Sequence, residues 1–262
     1  MKIALMDSGI GLLAATAAVR RLRPDADLVL SLDPDGMPWG PRTPEDLTAR
    51  ALAVAQAAAA HRPDALVVGC NTATVHALTA LRARLEPGVP VVGTVPAIKP
   101  AASGGGPVAI WATPATTGSP YQKGLIEDFA DGVRVIEVPC WGLAEAVERA
   151  DEAAIDAAVA AAARLTPDDV TTVVLGCTHY ELVAERIRAA VRHPGLPPLV
   201  LHGSAGAVAA QVLRRIGEPP APPRAVGPGT LTVLLSGREG PLPEAALAYA
   251  EGRMLRAAAP TG

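Results

Sequence analysis

The stretch VVLGCTHY, Val173 to Tyr180, decides how the chain is interpreted, because an apolar run ends at Gly-Cys and three polar residues follow. A second stretch, LVVGCNTA from Leu66 to Ala73, has the same form. Both runs are rich in Val and Leu, which is typical of buried strands. Cys70 and Cys177, two of the three cysteines, therefore stand in one repeated context, 107 residues apart (177 − 70). The repeat indicates either a duplicated packing unit or a matched pair of thiols.

The rest of the chain continues the alternation of short aliphatic runs with Ala/Leu/Arg-rich segments of helical period. Such alternation predicts parallel sheets covered by helices. The pattern starts at KIALMD (Lys2–Asp7) and restarts after the loop SGGGP (Ser103–Pro107). We therefore expect an α/β protein of two similar lobes, each a mostly parallel sheet flanked by helices. The first lobe is predicted to comprise residues 1–94 plus 208–262, and the second residues 95–207.

Local signals support these elements. Thr43 followed by Pro44 is a typical helix N-terminus and predicts a helix over the Ala-rich segment behind it. The tail is predicted to contain the helix AGAVAAQVLRRI, the Pro-rich link EPPAPPRAVGPG, the strand TLTVLLS and a last helix. A return of the tail to the first lobe is part of this prediction.

Composition limits the class of protein. Half of the 262 residues are hydrophobic and only 3% are aromatic, so the core must be filled mainly by Ala, Val and Leu and general disorder is excluded. A net charge of −3 provides no basic surface for nucleic acid. No apolar run approaches the ~20 residues of a membrane span, and the apolar start is too short for a signal peptide. With three cysteines and no secretion signal, we expect a cytoplasmic protein with free thiols.

Four candidate functional residues stand where predicted strands end. They are Asp7, Cys70, Thr113 and Cys177. Ligands of open α/β sheets bind outside the carboxyl ends of the strands, so the two lobes are expected to share an active-site cleft between them. A Gly-Cys turn also places its thiol at a helix N-terminus, where unpaired N–H groups and the helix dipole favour the thiolate. The two cysteines are therefore candidates for acid–base or nucleophilic chemistry.

Each motif also has a structural interpretation. A lone buried cysteine usually serves packing, which is the interpretation favoured for Cys140. Cys177 and His179 lack two further zinc ligands at familiar spacing, and a reducing compartment disfavours a disulfide. Asp7 or Ser8 in MDSGIG could simply cap a helix, and the turn lacks a full dinucleotide fingerprint. His179 is either a surface or cap residue, or a group that reaches the same cleft as Cys177.

Six segments resemble, in the same order, those of glutamate racemases in the Asp/Glu racemase superfamily. They are MDSGIG, PWGPRT, GCNTAT, VVGTVPAIKPA, ATPATTGSPY and LGCTHY, which cover the chain from Asp7 to about Tyr180. The resemblance implies a cofactor-independent enzyme, without metal, that interconverts L- and D-glutamate and supplies D-glutamate for peptidoglycan precursors. In this family, two cysteines lie on opposite faces of the substrate α-carbon and transfer its proton. The repeated Gly-Cys then has a chemical reason, since inversion needs an acid–base group on each face.

The resemblance also implies roles for individual residues. Cys70 and Cys177 match the catalytic cysteines, Asp7 the acid that assists the first thiol, and His179 the histidine beside the second. A further glutamate of the family matches Glu148, with Glu145 as the alternative. The positions that match substrate contacts carry hydroxyl, amide or backbone N–H donors suited to carboxylates; they are Ser8, Pro38, Trp39, Gly40, Asn71, Thr72, Thr113, Thr116 and Thr178.

The chain departs from the family pattern at three places. Trp39 stands where Tyr is usual, Leu12 stands where a second Gly is usual, and HGSAGAV (His202–Val208) lacks the acidic residue that commonly follows the last strand of the second lobe. Trp39 leaves open a racemase for aspartate or another amino acid. A separate alternative is a non-catalytic amino-acid-binding or regulatory protein on the same fold. The expected partner is a small amino acid, with neither nucleic acid nor membrane, and a homodimer is a further expectation.

Overall fold

The computed structural model describes residues 1–192, 195, 197–221 and 229–257, and its chain divides into two compact units. The first unit comprises Met1–Val95 and the described residues from Ala205 onward, and the second comprises Pro96–Ser204. Each unit is built on a largely parallel sheet with helices, so the predicted α/β class is confirmed. Part of the predicted link EPPAPPRAVGPG lies outside the described residues.

The regular elements of the described residues are numbered here in chain order. The strands are β1 (Lys2–Asp7), β2 (Asp27–Leu32), β3 (Ala65–Val68), β4 (Val91–Gly93), β5 (Val108–Ala112), β6 (Val135–Pro139), β7 (Thr172–Leu175), β8 (Val200–His202), β9 (Leu231–Leu235) and β10 (Arg238–Glu239). The helices are α1 (Leu13–Leu22), α2 (Pro44–Ala59), α3 (Asn71–Leu85), α4 (Ile98–Ala102), α5 (Pro120–Phe129), α6 (Leu143–Glu148), α7 (Glu152–Leu165), α8 (Ala184–Ala190), α9 (Ala205–Arg215) and α10 (Ala250–Ala257). Short 3-10 helices span Ile10–Leu12, Thr178–Val183 and Glu244–Ala248.

The sheet of the first unit has the strand order β10-β9-β2-β1-β3-β4. Its strands are parallel except for β10, which runs antiparallel to β9. The tail joins this sheet, because β9 pairs with β2 from Leu28↔Leu231 to Leu32↔Leu235. The β9–β10 hairpin was not predicted. Its turn consists of Ser236 and Gly237, both with positive φ, as tight hairpins require.

The sheet of the second unit has the order β6-β5-β7-β8, and all of its pairs are parallel. The strands β5 and β7 are fully buried, as expected for strands rich in Val, Ile and Leu that are covered on both faces. Because parallel strands end at one edge, the residues after β5, β6 and β7 emerge close together in this unit.

Helix starts follow the sequence signals in part. Thr43 caps α2 through a bond from Asp46 N–H to its Oγ1 at 3.3 Å, as its sequence predicts. The helix after β3 begins at Asn71, directly after Cys70, which is still in extended conformation. No helix in the described part of the chain is long and apolar enough to cross a membrane.

Candidate active site

The first Gly-Cys turn lies between β3 and α3. The Gly69 N–H donates to the Met6 carbonyl of β1 at 2.7 Å, and a Cβ on Gly69 would lie 3.2 Å from that oxygen and 3.0 Å from Leu12 Cβ. Glycine is therefore needed for the close approach to β1. Cys70 follows in extended conformation (φ −116°, ψ 124°), and its carbonyl accepts the first bond of α3, from Thr74 N–H. The thiol residue is buried and stands at a helix N-terminus.

The second Gly-Cys turn repeats this arrangement in the second unit. The Gly176 N–H donates to the Trp111 carbonyl of β5 at 2.7 Å, and a Cβ on Gly176 would lie 2.7 Å from that oxygen. Cys177 is extended (φ −135°, ψ 137°) and precedes the 3-10 helix Thr178–Val183. In each unit, one cysteine is therefore positioned in the same way. The glycine before it packs closely against the neighbouring strand, and a helix begins immediately after it.

Asp7 lies at the end of β1, next to the first turn. Its carboxylate is fully buried, and Oδ1 accepts hydrogen bonds from Ser8 N–H at 2.6 Å and from Ser8 Oγ–H at 3.2 Å. The register pairs Met6 with Val68, so Asp7 ends its strand alongside the Gly69–Cys70 turn. The first unit therefore brings a buried carboxylate and a buried thiol to the same edge of its sheet.

The second thiol belongs to a chain of three polar groups. Cys177 Sγ lies 3.8 Å from Nδ1 of His179, and the opposite ring nitrogen, Nε2, lies 2.8 Å from Oε2 of Glu148. An ionised carboxylate only accepts hydrogen bonds, so Nε2 carries the proton and Nδ1 of the neutral ring faces the thiol as an acceptor. The side chains of His179 and Glu148 are 7% and 19% exposed, which keeps this pair away from bulk water. A thiol beside an oriented imidazole is the usual arrangement for an activated cysteine.

The structure separates the two candidate glutamates. Both lie on α6, which follows β6, but Glu148 makes the bond to His179 while Glu145 is exposed. Glu148 is therefore the residue that the geometry joins to the second thiol.

Cys140 lies near Cys177 but in a different environment. Burial raises the pKa of the Cys140 thiol, and the negative charge of a Cys177 thiolate raises it further. Cys140 is 2% exposed, and the hydroxyl of the buried Tyr180 donates to its backbone carbonyl at 3.4 Å. This cysteine remains protonated in the core, as its packing interpretation predicts.

Hydroxyl groups surround the end of β5 in the second unit. Thr113 and Thr116 form a hydrogen bond between their Oγ1 atoms at 3.1 Å. The register pairs Trp111 with Leu175, which places Thr113 alongside Cys177, and Thr178 is buried directly after that thiol. In the first unit, Asn71 and Thr72 hold the first two positions of α3. Each predicted threonine and asparagine thus lies at a sheet edge that carries one of the thiols.

In the segment Pro38–Gly40 the aromatic ring is buried, and the two residues beside it are exposed. Pro38 and Gly40 are exposed, whereas Trp39 is 1% exposed and belongs to an apolar cluster that includes Met6 and Cys70. The indole N–H donates to Oδ2 of Asp33 at 2.9 Å. Trp39 therefore supports the thiol turn of the first unit from inside the core.

Because Trp39 is buried and hydrogen-bonded, we expect Trp39→Phe to lower the stability of the protein more than it changes the substrate specificity. The change deletes a hydrogen bond to a charged acceptor and removes buried volume, which together lower the free energy of unfolding by about 2–4 kcal/mol. For the racemisation that the resemblance implies, the ratio of kcat/KM for glutamate to aspartate is expected to change less than about tenfold, or about 1.4 kcal/mol. Urea unfolding and the two kinetic constants check both parts.

Trp111→Phe is the matched control, because that buried indole donates to a neutral hydroxyl, Thr166 Oγ1, at 3.0 Å. It should cost less stability, since bonds to neutral partners contribute about 1 kcal/mol. A change above about a hundredfold in the substrate ratio of Trp39→Phe would show that the indole shapes the pocket.

Three residues with notable buried polar groups or polar contacts were not predicted from the sequence. Asp33 accepts bonds from Trp39, Ser236 and Arg50. Gln122 is 2% exposed, and neither of its amide atoms has a hydrogen-bond partner among the described residues. Glu181, four residues after Cys177, binds Ser204. The sequence did contain a signal for Glu181, because it is a carboxylate in the segment that carries the second thiol. No sequence pattern pointed to Gln122.

Within the described residues, no group of three or more His, Cys, Asp or Glu side chains is arranged to hold a metal ion.

Comparison with known proteins gives the class that this fold and these turns define. The Asp/Glu/Hydantoin racemase family model matches residues 12–210, and the chain belongs to this family. A glutamate racemase of Roseiflexus sp. is 41% identical over 224 residues, covering 82% of this chain and 79% of the relative. A glutamate racemase of Pseudomonas putida is 35% identical over 219 residues, covering 82% and 80%.

Solved structures agree with these sequence relatives. The Escherichia coli glutamate racemase, crystallised with L-glutamate and the activator UDP-MurNAc-Ala, is similar with a TM-score of 0.72 and 26% identity. The match covers 94% of this chain and 91% of that one. The resemblance drawn from the six sequence segments is therefore confirmed.

Proposed function

We propose that the chain interconverts L- and D-glutamate by transferring the α-proton between two cysteines, without a cofactor. The observation that carries this proposal is the repeated Gly-Cys turn, with Cys70 after β3 and Cys177 after β7. The names of the relatives support glutamate as the substrate. The two thiols are proposed to act on opposite faces of the substrate α-carbon.

In the proposed reaction, the thiolate on one face removes the α-proton and the thiol on the other face donates a proton to the resulting carbanion. The stereocentre is inverted, and the two cysteines exchange protonation states. His179, oriented by Glu148, takes the proton of Cys177 when that residue is to act as base. Asp7 is proposed to serve Cys70 in the same way from the end of β1.

The substrate carboxylates are proposed to be bound by neutral donors at the two sheet edges. In the first unit these are Ser8, Asn71, Thr72 and the backbone of Pro38–Gly40. In the second unit they are Thr113, Thr116 and Thr178. Hydroxyl, amide and backbone N–H groups all donate to carboxylates, so the site does not depend on arginine. The product D-glutamate would enter peptidoglycan precursor synthesis in the cytoplasm.

Proton exchange with single amino acids tests the proposal. We expect L- and D-glutamate incubated with the protein in D₂O to lose the α-proton signal and to converge to zero circular dichroism. Aspartate should react about 10- to 200-fold more slowly, since that is the effect of one methylene in a binding pocket. Faster exchange with aspartate than with glutamate would make aspartate the preferred substrate. The absence of exchange with every amino acid would contradict racemisation and favour a non-catalytic binding protein.

A further inference from the structure

Glu181 connects the turn of the second thiol to the end of the second unit. It lies in the 3-10 helix Thr178–Val183, and its Oε1 accepts hydrogen bonds from Ser204 N–H at 2.8 Å and Ser204 Oγ–H at 2.9 Å. Ser204 is 3% exposed and is the last residue before α9. A carboxylate at this position is favourable, since the N-terminal end of a helix attracts negative charge.

Gly203 makes room for this carboxylate. A Cβ built on Gly203 would lie 2.4 Å from Oε2 and 2.7 Å from Cδ of Glu181. The backbone of Gly203 does not have a positive φ, so glycine is required here for space and not for conformation. The Glu181 carboxylate therefore occupies the volume that a side chain at position 203 would need.

This geometry explains one departure of the sequence from its family. HGSAGAV lacks the acidic residue that commonly follows the last strand of the second lobe, and position 203 is the first residue after β8. We propose that Glu181 supplies the missing carboxylate from the neighbouring turn, and that it acts as a positioning residue for Cys177 and His179. The link to catalysis rests on the proposed function.

The physical reason for a positioning role lies in the element that carries the thiol chemistry. A 3-10 helix has weaker hydrogen-bond geometry than an α-helix and seldom extends over many residues. Its side chains therefore depend on tertiary bonds for their orientation. β7 and β8 are adjacent, with Val174 paired to His202, so the Glu181–Ser204 bonds hold this helix against the end of the neighbouring strand. His179, two residues earlier, is kept between Cys177 and Glu148.

The test uses variants that remove the carboxylate at position 181 and introduce one at position 203. Glu181→Ala is expected to lower kcat for glutamate about 10- to 100-fold with KM within about threefold, because a displacement near 1 Å can cost a hundredfold. Gly203→Asp alone is expected to lower kcat at least about tenfold, since two carboxylates then compete for one volume. The double variant, Glu181→Ala with Gly203→Asp, should recover to within about fivefold of the parent protein.

The matched control is Glu185→Ala, which removes an exposed carboxylate on α8 that pairs with Arg188 and should leave kcat unchanged. Glu181→Gln, which keeps an acceptor for Ser204, provides a milder variant if Glu181→Ala fails to fold. A folded Glu181→Ala with kcat within twofold of the parent would overturn the positioning role. Glu181→Gln with kcat within twofold would do the same, because an amide oxygen accepts weaker bonds from Ser204 than a carboxylate does. Failure of the double variant to exceed both single variants would overturn the replacement of the missing acid.

A readout independent of racemisation separates this proposal from the proposed function. The rate at which iodoacetamide alkylates Cys177, followed by mass spectrometry, reports its orientation toward His179. Glu181→Ala should slow alkylation of Cys177 about tenfold relative to Glu185→Ala, with recovery in the double variant. If the parent protein racemises nothing but this pattern holds, the positioning role stands and the proposed reaction fails. Equal alkylation rates in all variants would overturn the positioning role.

Discussion

Cys70→Ser and Cys177→Ser are each expected to lower kcat for glutamate racemisation at least about 10³-fold, or about 4 kcal/mol. A serine hydroxyl stays protonated near neutral pH and is a far weaker base than a thiolate. Each substitution keeps the extended residue at the strand end and removes only the sulfur, so the folds should be unchanged by circular dichroism. Racemisation is measured by the loss of optical activity from either enantiomer.

Partial reactions distinguish a two-base mechanism from a general loss of activity. With a glutamate that carries chloride on Cβ, one thiolate takes the α-proton, chloride leaves, and the electron pair forms a Cα–Cβ double bond. This elimination needs only one base. Each single variant should therefore retain it for one α-configuration, and the two variants should prefer opposite configurations.

The third cysteine provides the control for these variants. Cys140 is buried, and burial raises the pKa of its thiol, so Cys140→Ala should retain kcat within about threefold. Full racemase activity in either Cys70→Ser or Cys177→Ser would eliminate the two-cysteine mechanism.

Glu148→Gln is expected to produce the next largest loss, about a hundredfold in kcat/KM. The glutamine amide can donate to Nε2 of His179 as well as accept from it, so the ring is no longer held with its Nδ1 acceptor toward Cys177. The negative charge that stabilises an imidazolium is also lost. The two enantiomers of glutamate have equal free energy in water, so kcat/KM must fall by one factor in both directions.

Glu145→Gln tests the alternative assignment on the same helix. Glu145 is exposed on α6, and its replacement should leave kcat/KM within about threefold. The measurement is the initial rate from each enantiomer for both variants. A larger loss in Glu145→Gln than in Glu148→Gln would return the family glutamate to position 145.

Apolar runs were sufficient to predict most of the sheets. β10 was missed because it has two exposed polar residues, Arg238 and Glu239, and is defined only by its hairpin with β9. α5 was missed although its start carries the signal that predicted α2: Ser119 precedes a proline, and its Oγ accepts a bond from Gln122 N–H. The glycine at position 124 obscured the helical pattern behind it.

The candidate site could be predicted only as far as local sequence carries the information. The two cysteines could be predicted from their repeated Gly-Cys context, and His179 from its position two residues after Cys177. The choice between Glu145 and Glu148 depends on which side of a short helix faces His179, which spacing alone does not decide. The contacts of Trp39 with Asp33 and of Glu181 with Ser204 depend on packing and on pairing between strands, so these roles required the structure.

The position of β9 affects the order in which the chain can fold during synthesis. β2 pairs with β1 on one side and with β9 on the other, and β9 emerges from the ribosome only after the whole second unit has emerged. Pro96–Ser204 can therefore complete its four-stranded sheet while β2 still has an open edge, the reverse of the usual order in which the N-terminal unit folds first. In that interval the apolar edge of β2 is a nascent-chain site for chaperone binding or for misdirected strand pairing between neighbouring chains on one polysome.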